Sequence, residues 1–213
     1  MLMCADSATT RAWFVDDFVP ELIEVVLETW EGFRLTCSAK LEPRITSLFS
    51  DALELAYEKA GKTWFLVPEM KRTDTKTGKE VSRHDIRFFH REISGQRLYF
   101  VFECKRVNVM NRRGKILPNN AGYRTGMLQF INGVYSAGHP CAGMIAYVMD
   151  GDVPSALEKI KKLVRKYRVS LRLILGSEYA PSSLMPKHLS NGETKHQRID
   201  GRFVIYHLLL PLN

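Results

Sequence analysis

Val81–Val107 reads VSRHDIRFFHREISGQRLYFVFECKRV, and the folding of this stretch decides how the rest of the chain is arranged. Two runs rich in Ile, Phe, Tyr and Val flank Ser94-Gly95-Gln96, a pattern that predicts a β-hairpin. Three ionisable residues stand where a strand should carry apolar ones: Asp85 on the first run, Glu103 and Lys105 on the second. Side chains alternate faces along a strand, so Glu103 and Lys105 share a face and Cys104 takes the other. They end the apolar run Leu98–Phe102, where charge is costly unless it is paired or binds something. If the hairpin pairs residues whose numbers sum to about 190, Asp85 lies opposite Lys105 and diagonal to Glu103, and all three share one face; a one-residue slip moves Asp85 to the other face. The sequence leaves that register open. Two carboxylates and a lysine so gathered would offer oxygen ligands to a hard divalent cation, with a cationic donor beside it. The plainer alternative is that Glu103 and Lys105 are edge-strand charges that discourage aggregation.

The Glu-x-Lys spacing alone carries little, because the chain holds it three times. Glu193-Thr194-Lys195 lies in a polar stretch that reads as a loop. Glu69-Met70-Lys71 follows the apolar run Trp64–Val67 but has no acidic residue on a strand before it. Only Glu103-Cys104-Lys105 has an aspartate on a preceding strand and an amphipathic helix after it.

Asp85, followed by Glu103-Cys104-Lys105 at the end of an apolar strand, resembles the D…ExK motif of the PD-(D/E)XK nuclease superfamily. The family's proline is absent, since His84 precedes Asp85. Glu42, in Leu41-Glu42-Pro43-Arg44, matches the glutamate often carried on a helix before the first strand, and Tyr123–Phe130 matches the helix that follows the motif. The match is one of pattern and order over residues 40–175. It implies a restriction-endonuclease-like α/β core, a central mixed β-sheet flanked by helices, in a domain at 41–213 behind an N-terminal helical extension at 1–40. It further implies metal-dependent hydrolysis of phosphodiester bonds in nucleic acid, DNA rather than RNA. Asp85, Glu103 and the carbonyl of Cys104 would hold Mg2+ or Mn2+, with Glu42 an outer or additional ligand. Lys105 would position the attacking water or stabilise the oxyanion, and Gln129 or Tyr123 would steady the lysine or the phosphate. Arg124 is a further polar candidate on that helix. Members of this superfamily can also lose their chemistry and bind nucleic acid or a partner protein, which is the rival expectation. A defence or repair role and a homo-oligomeric state are compatible with either.

Composition fits a polyanionic partner: 213 residues, 45% of them hydrophobic, carry a formal charge of +8. Arg106, Arg112, Arg113 and Lys115 follow the motif closely and are candidates to hold backbone phosphates. Cys4, Cys37, Cys104 and Cys141 form no CxxC pair, which suits a reducing cytoplasm and argues against a zinc knuckle. Met1–Thr10 lacks the pattern of a secretory signal, and no apolar run is long enough to span a membrane. Ala60-Gly61-Lys62-Thr63 ends in GKT, but position 56 is alanine where a P-loop needs glycine. ATP-driven activity would therefore come from another chain, such as a helicase or ATPase partner.

The remaining segments alternate. Helical spacing marks Arg11–Glu31, Pro43–Ala60 (ending at Gly61), Tyr123–Ser136 and Pro154–Tyr167. The lysines of the last could be a solvated face or a second nucleic-acid contact. Arg34–Ala39, Trp64–Met70, Cys141–Met149 and Ser170–Leu175 read as strands, the last parallel to Cys141–Met149. Lys195–Ile199 and Arg202–Leu210 read as a hairpin about Asp200-Gly201. Asp150-Gly151-Asp152 reads as a turn and helix cap, and His139 and Cys141 lack a third group for nucleophilic catalysis. His188, His196 and His207 lack ligand spacing and read as surface or packing residues.

Overall fold

The computed structural model describes residues 14–61, 64–73, 80–90, 99–111, 113–185, 188 and 190–212. A π-helical turn, Phe14–Phe18, leads into α1 (Val19–Thr36) and α2 (Glu42–Lys59). The strands β1 (Trp64–Thr73), β2 (Glu80–His90) and β3 (Tyr99–Val107) follow, then two short strands, β4 (Val109–Met110) and β5 (Ile116–Leu117). Next come α3 (Asn120–Ile131), β6 (Cys141–Val148), α4 (Val153–Lys166), β7 (Ala180–Pro181), β8 (Gly192–Arg198) and β9 (Gly201–Pro211).

The central strand explains the layers. Along β3, Phe100, Phe102 and Cys104 alternate with Val101 and Glu103, and all five are buried. A strand buried on both faces needs cover on both. Phe100, Phe102 and Cys104 pack with Trp30 of α1, Phe49 and Leu53 of α2, and Ile145 and Tyr147 of β6. Val101 and Val107 pack on the opposite face with Met127 and Phe130 of α3 and Ile160 and Val164 of α4. The protein is thus α/β, with a central mixed sheet of seven described strands between four described helices, as the sequence led us to expect.

The sheet order is β1-β2-β3-β6-β9-β8-β7. β1, β2 and β3 form an antiparallel meander, β3–β6 and β6–β9 are parallel, and β8–β9 is an antiparallel hairpin. Between the parallel pairs the chain must cross over, and α3 and α4 lie in those two connections. Gly143 of β6 pairs with Phe102 of β3. A Cβ there would lie 2.2 Å from the Phe102 ring, so only glycine leaves room for it. Trp30 stacks on Tyr147 at 5.4 Å, meets Phe49 edge-on at 5.0 Å and donates its indole N–H to the Pro211 carbonyl at 3.1 Å. One side chain therefore ties α1 to α2, β6 and the end of β9.

Two expected strands are absent. Arg34–Thr36 is the last turn of α1, closed by the Cys37 N–H donating to the Phe33 carbonyl. Ser170–Leu175 forms turns with one isolated antiparallel bridge, Leu173 to His196, and the parallel neighbours of β6 are β3 and β9 rather than this segment. Arg172 takes a positive φ of 50°, which no strand tolerates, and Val169 and Leu175 are 83% and 98% exposed. Leu171 still enters the core on the α3 face and Leu173 packs against it, but as turn residues rather than as a strand. Asp150–Asp152 is a turn and cap as read: the Asp152 carboxylate accepts the Ser155 N–H at 3.0 Å. The turn expected at Ser94-Gly95-Gln96 lies outside the described residues.

Candidate active site

The site forms where the meander splits. Cα pairing between β2 and β3 runs from Phe89–Tyr99 to Ile86–Phe102 and stops. β2 continues alongside β1, which pairs with it as far as Thr73–Glu80, while β3 continues alongside β6 to Val107–Val148. A fork in a sheet leaves backbone donors without ladder partners, and each must find another acceptor. Here the Asp85 carboxylate fills the gap: its Oδ2 accepts the Cys104 N–H at 2.7 Å.

The paired residues sum to 188, two less than expected. Extending the ladder one step places Asp85 across from Glu103 rather than Lys105. An even shift keeps parity, so the aspartate still faces the same side as Glu103 and Lys105. The distances agree. Lys105 Nζ lies 2.6 Å from Glu103 Oε1 and 3.8 Å from Asp85 Oδ2.

Glu42 completes the group from the other side of the fork. It is the first residue of α2, and its Oε2 accepts the Arg106 N–H at 3.0 Å while Oε1 lies 3.4 Å from Lys105 Nζ. Its role is therefore more than favouring the helix dipole. Lys105 Nζ also donates to the Cys104 carbonyl at 2.8 Å. Four oxygens, from Glu42, Asp85, Glu103 and Cys104, thus surround one ammonium nitrogen. Three carboxylates against one lysine leave an excess of negative charge in a partly buried site.

Burial shapes the protonation of this group. Glu103 has its pKa raised, first by burial and then by the Asp85 carboxylate, with Lys105 offsetting part of that. For Lys105, burial disfavours the charged form, but Glu103, Asp85 and Glu42 outweigh it and the ammonium is held charged. Glu103 Oε2 is buried and, among the described residues, finds no hydrogen-bond partner.

α3 packs directly on the glutamate. A Cβ at Gly126 would lie 3.0 Å from Glu103 Cγ and 3.0 Å from Met144 Cε. Gly126 was not among the residues picked out by sequence, and the only signal it offered was a glycine inside a helical pattern.

The other candidates are placed elsewhere. Tyr123 is fully buried, its hydroxyl 2.8 Å from His207 Nδ1, so the expectation that it meets lysine or phosphate is corrected. Arg124 stacks on the Tyr167 ring at 4.4 Å. Gln129 is half-buried, and among the described contacts none joins it to Lys105. Arg106 sends Nη1 to the Lys40 carbonyl at 2.6 Å, beside the site. Arg113 and Lys115 are exposed in the turn between β4 and β5, where their N–H groups donate to the Asn111 side chain. Arg112 lies outside the described residues.

The donor set suits a hard divalent ion, since it is all oxygen and mostly carboxylate. The unpartnered Glu103 oxygen points the same way. The spacing as it stands does not: among the described residues, no three His, Cys, Asp or Glu side chains are grouped so as to hold a metal ion. The two observations reconcile if the oxygens are drawn in around the lysine rather than around a metal.

Sequence reasoning also missed a buried polar chain on the α3 face. His196 Nδ1 lies 2.7 Å from the Leu171 carbonyl, which can only accept, so Nδ1 carries the proton. His196 Nε2 then accepts from Thr194 Oγ at 2.7 Å, Thr194 Oγ accepts from His207 Nε2 at 2.9 Å, and His207 Nδ1 accepts from Tyr123. Each hydrogen bond has one possible direction. Burial holds His196 down at about 4 and, with His196 adding to it, His207 at about 3, so both rings are neutral. They are packing residues, as their spacing indicated.

No family model matches the chain, and no match to it is found among the curated proteins or the solved structures. Among the described residues, no helix is long and apolar enough to cross a membrane.

Proposed function

We propose that this chain is a divalent-metal-dependent nuclease that hydrolyses phosphodiester bonds, in DNA rather than RNA, on a restriction-endonuclease-like core. The observation that carries the reading is the gathering of Asp85, Glu103, Glu42 and the Cys104 carbonyl about Lys105 at the fork between β2 and β3. Asp85, Glu103 and the Cys104 carbonyl would hold Mg2+ or Mn2+, with Glu42 as a further ligand. When bound, the ion supplies or orients hydroxide and offsets charge on the phosphorane-like transition state. The residues do the rest. The Cys104 and Arg106 N–H groups fix Asp85 and Glu42, and Gly126 lets α3 press on Glu103. Lys105 holds the attacking water or the developing oxyanion. Arg106, Arg113 and Lys115, on the segment leaving the site, and the overall +8 charge support a polyanionic substrate. A cytoplasmic effector in antiviral defence or repair, working alone, as a homo-oligomer or with a helicase or ATPase partner, accords with this activity.

A second reading has its own support. The lysine fills the place where a metal would lie, which favours a catalytically silent subunit that binds nucleic acid or a partner protein. Supercoiled plasmid incubated with Mn2+ separates the two. Nicking by wild type that is lost in Asp85→Ala and Lys105→Ala supports the nuclease. Retained plasmid binding without nicking, alone and with neighbouring gene products added, supports the silent subunit. Nicking that persists in both variants places the chemistry elsewhere.

A further inference from the structure

We infer that the Lys105 ammonium is the resident cation of this site in the ion-free protein, and that a divalent ion is admitted by displacing it, so that metal binding releases the lysine. The inference rests on the metal-site reading above and concerns how that site is loaded.

The geometry of the oxygens argues for it. Glu103 Oε1, the Cys104 carbonyl, Glu42 Oε1 and Asp85 Oδ2 stand 2.6, 2.8, 3.4 and 3.8 Å from Lys105 Nζ. A small divalent ion needs oxygens at about 2.0–2.1 Å and cannot share that volume with an ammonium group. Either cation can sit among these four oxygens, but not both.

The ammonium serves them incompletely. It has three protons for four oxygens, and the Asp85 oxygen at 3.8 Å lies beyond hydrogen-bond reach. Glu103 Oε2 remains buried with no partner among the described residues. A buried carboxylate oxygen left unpaired is a standing cost that a more highly charged, multiply coordinating ion would relieve.

Two of the three carboxylates are also held independently of the lysine. Asp85 is fixed by the Cys104 N–H and Glu42 by the Arg106 N–H, both backbone donors on β3. They stay in place when Lys105 leaves. The lysine can leave because its four-carbon stem is flexible and its side chain is 17% exposed. What it leaves behind is a set of oxygens already gathered. What it becomes is a free ammonium beside the metal, where an anionic substrate would meet it.

Two measurements without nucleic acid test this. Calorimetric titration with Mn2+ compares wild type with Lys105→Met, which keeps the stem and removes the charge. Acetic anhydride labelling of wild type, read by peptide mass spectrometry, follows Lys105 with and without saturating Mn2+. We expect Lys105→Met to bind Mn2+ about tenfold or more tightly than wild type, and Lys105 to change from protected to labelled when Mn2+ is added, the other lysines staying constant. Removing a positive charge tightens cation binding even at a distance, so the labelling decides. Mn2+ binding to wild type with unchanged Lys105 labelling, or no tighter binding in Lys105→Met, overturns displacement and leaves the metal site standing. Absence of Mn2+ binding in both proteins overturns the metal site itself, and displacement with it.

Discussion

Asp85 Oδ2 accepts the Cys104 N–H at 2.7 Å at the point where β2 and β3 part. A side chain there does the work of a ladder carbonyl, and this is what brings the aspartate to Glu103 and Lys105. Its structural and chemical duties are separable. Asp85→Asn keeps an oxygen that can accept the Cys104 N–H, whereas Asp85→Ala leaves that donor bare. We predict that Asp85→Asn unfolds in urea close to wild type while Asp85→Ala loses about 1–3 kcal/mol. Both should lose Mn2+-dependent nicking. Equal stability of the two variants would mean that the hydrogen bond contributes nothing to the fork.

Gly126 sets how closely α3 approaches Glu103. Gly126→Ala adds a methyl 3.0 Å from Glu103 Cγ, so the glutamate or Met144 has to give way. We expect a stability change within about 1–2 kcal/mol and a fall in plasmid nicking of about tenfold or more, since ångström displacements of catalytic groups are costly. Full nicking by a folded variant would show that the helix does not position the carboxylate.

Trp30 joins four elements through its ring and its indole N–H. Trp30→Ala should cost about 3–5 kcal/mol in urea unfolding, a large part of the stability of a domain this size. A loss below about 1 kcal/mol would contradict the account of α1 as part of the core.

The buried histidines predict an acid limb. His196 and His207 are held at about 4 and about 3, while in the unfolded chain each takes up its proton near pH 6.5. Above about pH 6.5 both states are neutral and stability is level with respect to them. As pH falls below that, the unfolded chain binds protons that the fold refuses, and stability drops until the folded rings titrate near pH 3–4, by a total on the order of several kcal/mol. The raised pKa of Glu103 contributes the opposite slope, because its stabilisation is present at low pH and lost as pH rises. Urea midpoints from pH 7 to pH 4 in wild type and His207→Gln isolate the histidine share: the variant should show the shallower slope. Parallel slopes would contradict the neutral chain from Tyr123 to Leu171.

The extent to which the sequence disclosed this arrangement follows from the physics of strands. Alternation along Tyr99–Val107 announced a strand, and its period of two protected the shared face of Asp85, Glu103 and Lys105 even though the pairing was displaced by two residues. Glu42 was found by resemblance, but its anchor, a backbone N–H, leaves no mark in the letters. Tyr123 was placed on the right helix, but its partner His207 lies 84 residues away and nothing local in the letters marks that contact. Ser170–Leu175 failed because a positive φ at Arg172 is invisible in composition. Gly126 failed because a missing side chain says nothing of what fills its place.

Anomalous diffraction from crystals soaked in Mn2+ determines whether the oxygens around Lys105 are a cation site. A manganese peak is expected among Asp85, Glu103 and the Cys104 carbonyl, with the Lys105 ammonium moved out of that position. A saturating soak that leaves the ammonium in place with no peak there, or with manganese bound only elsewhere, would contradict it.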